Sequence, residues 1–121
     1  ATFVDKDRKT CDRIKRTAKS LGVSTSEMSV ICGDTARLAE SSQLFGSPFD
    51  VVFLDPPYAV EAEVVSKLLK DLTQAGSLTK DAVVVYEHSH KSDSLSLDNF
   101  ELSKSKRYGI AQVDLLVRCE G

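Results

Sequence analysis

The sequence predicts an α/β domain of three layers, a mostly parallel sheet between helices that ends in an antiparallel C-terminal hairpin. Three observations carry that reading. Apolar runs of strand length alternate with segments whose apolar residues recur at helical spacing, in the order strand, helix, strand, helix, strand, helix, strand, followed by two strands around a glycine turn. An aspartate stands at the end of each of the first three strands: Asp5, Asp34 and Asp55. The run Phe49-Asp50-Val51-Val52-Phe53-Leu54 shows no polar alternation from Val51 onward and stops on Asp55-Pro56-Pro57-Tyr58. A strand covered on both faces that delivers a stiff loop has this pattern.

The elements follow in order. Thr2 to Asp5 open as a short strand, and Asp7 is placed to cap a helix running to about Leu21. Cys11, Ile14, Ala18 and Leu21 form its apolar face, and Gly22 is its stop. Ser29 to Cys32 is the second strand. Gly33-Asp34-Thr35 turns out of it toward a short helix over Ala36 to Leu44, ended by Gly46, Ser47 and Pro48. After the Asp55 strand, Val64, Val65, Leu68, Leu69 and Leu72 mark one face of a helix from about Val60 to Ala75, with Gly76 behind it. Ala82 to Tyr86 reads as a buried strand ending near a solvated Glu87, and Lys91 to Asn99 as a surface connection. Phe100 to Lys104 and Ile110 to Arg118 then pair around a turn holding Arg107, Tyr108 and Gly109.

A chain of 121 residues with 41% hydrophobic content fits one domain with its own core. No apolar run reaches the length needed to cross a bilayer, and Ala1-Thr2-Phe3-Val4-Asp5 has neither signal-peptide nor transit-peptide character, so a cytoplasmic protein is expected. Cys11, Cys32 and Cys119 are odd in number and widely spaced, which predicts reduced core thiols and argues against a zinc ribbon or a redox dithiol. His88 and His90 read as part of a polar loop, and with no third ligand nearby no metal is expected. The net charge of −2 lacks the overall basic bias of many nucleic-acid binders. Local clusters matter more: Arg8, Lys9, Arg13, Lys15, Arg16 and Lys19 in the first helix, and Lys104, Lys106 and Arg107 in the hairpin. Each also fits an ordinary solvated surface.

The chemistry concentrates in the proline loop. The Asp55 carboxylate and a carbonyl of Pro56 or Pro57 make two acceptors for the two hydrogens of an exocyclic amine, while the Tyr58 ring offers a stacking surface for the base that carries it. Singly, the motifs also have plain structural roles. Asp5 fits a loop acid, Asp34 a helix cap, and Asp55-Pro56 a strand terminator.

With Phe3-Val4-Asp5-Lys6-Asp7, Gly33-Asp34 and Asp55-Pro56-Pro57-Tyr58 in one order, the chain resembles the Rossmann-like class I methyltransferases. More narrowly, it resembles the RsmD family of bacterial enzymes, which methylate a guanine amino group in small-subunit ribosomal RNA. The resemblance runs from Ala1 to about Cys119 and includes the Tyr108-Gly109 hairpin. It implies S-adenosyl-L-methionine as cofactor and small-subunit rRNA, or the assembling small ribosomal particle, as partner. It puts Asp5 on the ribose hydroxyls, Asp34 and the Thr35 N–H on the adenine, and Asp55, Pro56, Pro57 and Tyr58 on the target base, with Asp55 also bordering the cofactor. It further implies a first strand and a glycine-rich loop ahead of residue 1, between the Asp5 and Asp55 strands in the sheet. Residues 1–121 are accordingly expected to be the C-terminal part of a single methyltransferase domain. Two rival readings share these residues: a DNA adenine-N6 methyltransferase, and a non-catalytic fragment that keeps only the fold.

Overall fold

The computed structural model describes residues 2–5, 7–24, 29–32, 48–55, 61–91, 95 and 97–119. Its elements are β1 (Thr2–Asp5), α1 (Arg8–Ser20), β2 (Ser29–Cys32), β3 (Phe49–Leu54), α2 (Ala62–Gln74), β4 (Leu78–Ser89), β5 (Phe100–Tyr108) and β6 (Ala111–Arg118). The helix expected over Ala36 to Leu44 lies outside the described residues.

Both helices end where a glycine allows the left-handed turn that satisfies their last carbonyls. After α1, Val23 N–H donates to the Ala18 carbonyl and Gly22 N–H to that of Lys19. After α2, Ser77 N–H donates to Leu72 and Gly76 N–H to Thr73, with Gly76 at φ 73°. These are paired Schellman closures.

The strands form two sheets, β1-β2 and β3-β4-β6-β5. β1 runs parallel to β2 with Asp5 opposite Cys32, and β3 runs parallel to β4 with Leu54 opposite Tyr86. β6, last in the chain, lies antiparallel between β4 and β5. Among the described residues the parallel part is therefore not continuous. Among them β1 pairs with β2, and β3 with β4.

The core belongs to the larger sheet. Val65, Leu69 and Leu72 of α2 pack with Ala82, Val84 and Tyr86 of β4 and Leu116 of β6, joined by Leu78, Leu95 and Phe100. Each large side chain buried in this way contributes roughly 1.5–3 kcal/mol.

Several expectations need correction. Among the described residues β3 is covered on one face: Phe49, Val52 and Leu54 pack on the core, whereas Val51 is 49% and Phe53 77% exposed. The reason is that α2 covers one side of the large sheet while α1 lies against β1 and β2. Leu21 and Val64 are exposed, since one sits at the C-cap of α1 and the other in the first turn of α2. β4 extends beyond Ala82 to Tyr86 at both ends, because β6 offers Glu87, His88 and Ser89 backbone partners whatever their side chains. Lys91 to Asn99 is not purely a surface connection, as Leu95 is buried and Leu97 packs against the core. Cys11 is buried, but Cys119 is only half-buried because it lies just past the end of β6.

The hairpin also differs. Its turn is the two residues Gly109-Ile110, with φ 62° at Gly109, the backbone that a two-residue type II′ connection needs at its first position. The extra residue is absorbed lower down, as a bulge at Ser103 between Leu102 and Lys104.

Candidate active site

Asp5 and Asp55 stand at the carboxyl ends of parallel strands, where open α/β sheets bind ligands. Asp5 is half-buried and tightly placed. Its carbonyl accepts from Cys11 Sγ at 3.2 Å, and its Oδ1 accepts the Asp7 N–H at 2.8 Å. Oδ2 receives no donor among the described residues, and the carboxylate is oriented by the start of α1. Asp7 is the N-cap residue expected, though its Oδ2 accepts from Thr10 Oγ1 at 2.6 Å. That bond, aided by the amides of Lys9 and Thr10 and by the Arg13 charge, outweighs slight desolvation and holds its carboxyl below the usual value.

Asp55 is exposed and follows Leu54 directly, which places it about level with Glu87 of β4. Glu87 is half-buried and opposite Val113, so it is an interior strand residue rather than a solvated strand end. Asp34, Thr35, Pro56, Pro57 and Tyr58 lie outside the described residues. By chain order Asp34 follows Cys32 by two residues, and Cys32 is level with Asp5.

The basic hairpin residues lie within β5, whose residues from Glu101 to Tyr108 are all exposed. Lys104, Lys106 and Tyr108 share the face of Leu115, Val113 and Ala111, and Lys106 Nζ sits 5.1 Å from the Tyr108 ring centroid. Ser105 and Arg107 take the other face. On α1, Arg8, Lys9, Arg13, Lys15, Arg16 and Lys19 are exposed.

The sequence reading missed a buried polar group. His88 is 3% exposed, with Nε2 at 2.7 Å from Asp114 Oδ2, and its ring stacks on Tyr86. Asp114 Oδ1 accepts from Ser105 Oγ at 2.6 Å and Gln112 Nε2 at 2.9 Å. Burial alone would raise the Asp114 carboxyl, but the bonds from Ser105, Gln112 and His88, with the His88 charge, bring it below its usual value. Burial, and then the Asp114 charge, pushes the Tyr86 hydroxyl up. The available signal was period two: Ala82, Val84, Tyr86 and His88 alternate inward, and Asp114 and Leu116 answer them from β6. Among the described residues no trio of His, Cys, Asp or Glu converges as a metal site, and no helix is long and apolar enough to cross a membrane.

A parallel α/β sheet with acids at its strand ends and an antiparallel closing hairpin is the architecture of class I methyltransferases. The chain belongs to the family described as Conserved hypothetical protein 95, matched over residues 1–117, and is RsmD-like. It is 41% identical over 70 residues to an uncharacterized methylase of Rickettsia prowazekii, a match covering 57% of this chain and 28% of that one. It thus spans well under two thirds of that relative. HI0767 of Haemophilus influenzae, named as a methylase, superposes with a TM-score of 0.82 at 26% identity, covering 98% of this chain and 72% of that one. SMU.776, a methyltransferase-type protein complexed with SAH, shares the fold at a TM-score of 0.75 and 8% identity, covering 96% of this chain and 38% of that one.

Proposed function

We propose that the protein transfers the methyl group of S-adenosyl-L-methionine to the exocyclic amine of a guanine in small-subunit rRNA. The observation that carries the reading is Asp55, exposed at the carboxyl end of a parallel strand in a methyltransferase family, with Pro-Pro-Tyr next in the chain.

The residues fit the cofactor. Asp5, oriented through Oδ1 by the Asp7 amide, suits a pair of ribose hydroxyls. Asp34 and the Thr35 N–H have the donor and acceptor chemistry that adenine needs. When bound, S-adenosyl-L-methionine supplies an electrophilic methyl group on a sulfonium.

The chain's own part is to position the amine. A guanine amine is a weak nucleophile, because its lone pair is delocalised into the ring. Asp55 and a carbonyl of Pro56 or Pro57 accept its two hydrogens, favouring a pyramidal nitrogen directed in line, and Tyr58 stacks on the base. Asp55 then takes the proton that the methylated, cationic nitrogen sheds. Lys104, Lys106 and Arg107 supply phosphate contacts, with the α1 cations as a second patch.

The test is methyl transfer by the full-length protein from labelled cofactor to small-subunit rRNA, with adenine-containing DNA in parallel. Transfer to the RNA is expected. Asp55→Ala should lower single-turnover transfer about 100-fold or more while cofactor binding, measured by calorimetry, is retained. Methylation of the DNA alone would make this an adenine enzyme, and unchanged transfer by Asp55→Ala would remove Asp55 from the mechanism.

A further inference from the structure

Tyr108 ends β5 beside two lysines on one open face of the hairpin. Lys104, Lys106 and Tyr108 stand opposite Leu115, Val113 and Ala111, so all three take the side of the larger sheet away from the buried Asp114 and Leu116. Every residue from Glu101 to Ile110 is exposed, Tyr108 at 57% and Ile110 at 68%. Lys106 Nζ lies over the Tyr108 ring, 5.1 Å from its centroid.

The bulge sets this face. Continued from Leu102 opposite Leu116 without an extra residue, β5 would put Ser103 opposite Leu115, and Ser105 and Arg107 would take the outer side. With the register shifted between Leu102 and Lys104, the two lysines and the tyrosine take it instead. Arg107 is left on the other face, where its Nε donates to the Gly109 carbonyl at 2.9 Å and braces the turn next to Tyr108.

Acids bound the basic stripe. On the same face Glu101 stands opposite Val117, below the bulge, and Glu87 stands across Val113 from Lys106. The stripe therefore follows the edge strand from Lys104 to the tip. Its members recur at alternate residues, about 7 Å apart, which is close to one nucleotide of an extended single strand. Asp55, level with Glu87, falls in the cross-strand row of Lys106, three strand spacings or about 14 Å away. A few nucleotides of RNA span that distance.

We propose that Tyr108 stacks on an unpaired base while Lys104 and Lys106 hold the phosphates beside it, so that this face grips single-stranded RNA flanking the nucleotide presented to Asp55. Cations in a row followed by an exposed ring are the elements that bind a single strand, through its phosphates and through the face that every base offers. A duplex buries those faces in its stack, out of reach of a ring on a flat strand. Lys106 steadies the ring through its cation–π contact and presents its charge at the same place. The inference rests on the RNA reading above and adds to it a stacking residue and a demand for unpaired RNA.

Its test needs neither cofactor nor methyl transfer. A short, unstructured, fluorescently labelled RNA is titrated with the full-length protein over a range of salt, alone and annealed to its complement. Tyr108→Ala should weaken binding of the single strand roughly 5- to 150-fold without changing the salt slope, and leave duplex affinity within about twofold. Tyr108→Phe should bind as the wild type does. Lys104→Gln with Lys106→Gln should instead flatten the slope for the single strand by about one unit. Undiminished single-strand binding by Tyr108→Ala, or an equal loss on the duplex, overturns the proposal. Should that variant not fold, the wild type serves: the Tyr108 ring protons should move upfield in NMR spectra when the single strand is added, and an unmoved ring overturns the proposal equally. Methyl transfer to rRNA with undiminished single-strand binding by Tyr108→Ala removes the ring and leaves the proposed reaction standing. A ring that stacks on RNA in a protein that methylates DNA alone keeps this surface and removes rRNA as the substrate, so the two ideas fail separately.

Discussion

Residues 2–32 and residues 48–119 are held together by different means. In the first region, α1 and two four-residue strands bury only Cys11 and Ala18 among the described side chains, and order comes from the parallel ladder, the Cys11 thiol and the Asp5-Asp7-Thr10 contacts. In the second, α2 and four strands close over a continuous apolar cluster with a hydrogen-bonded polar group at its edge. The comparison teaches where rigidity is placed. The candidate cofactor acid Asp5 sits on the region with the thinner core, and ligand-binding segments are commonly drawn from the less stable parts of a fold.

The largest effect is expected from Asp114→Ala, which takes away the partner shared by His88, Ser105 and Gln112 and should destabilise the larger sheet in denaturant unfolding by about 1–3 kcal/mol for each polar group left unsatisfied. Leu69→Ala comes next, at about 2–5 kcal/mol, because Leu69 is fully buried at the centre of the cluster. Cys11→Ala should cost about 1 kcal/mol and raise amide exchange in β1 and β2 while leaving β4 and β6 protected. If exchange rises equally in both regions, they unfold as one unit and the distinction drawn above is wrong.

The smallest effect is acid sensitivity. The folded Asp114 carboxyl lies below its usual value, so the unfolded chain takes up the proton first as pH falls. The stability it contributes is complete above the usual carboxylate value and lost as pH drops through the depressed folded value. Thermal unfolding of the wild type should therefore decline below about pH 4 more steeply than that of Asp114→Asn. Equal slopes would mean that Asp114 does not sense the acid.

The strand and helix order was legible because each signal was local. β1 and β2 run over the residues their apolar runs mark, and Gly22 and Gly76 end their helices through the backbone they alone favour. What was not legible depended on neighbours. Phe53 looks like a core residue in a run of Val, Val, Phe and Leu, but whether its face is covered is decided by another element. His88 looked like a loop residue because its partner, Asp114, is 26 positions away, and only the strand register brings them together. At the candidate site, Asp5 and Asp55 could be placed at strand ends from the sequence alone. The hold of Cys11 and Asp7 on Asp5 could not.

The position of β6 has a consequence for biosynthesis. Of the four strands of the larger sheet, the one that leaves the ribosome last is an interior strand, flanked by β4 and β5, and Arg118 near its end donates to the carbonyls of Leu78 and Thr79 at the start of β4. Until that strand emerges, β4 has an open edge carrying Ala82, Val84 and Tyr86, and β5 has no partner. The larger sheet therefore closes only after synthesis has passed Arg118, and during that delay the nascent chain exposes a strand edge of the kind that invites aggregation and chaperone binding.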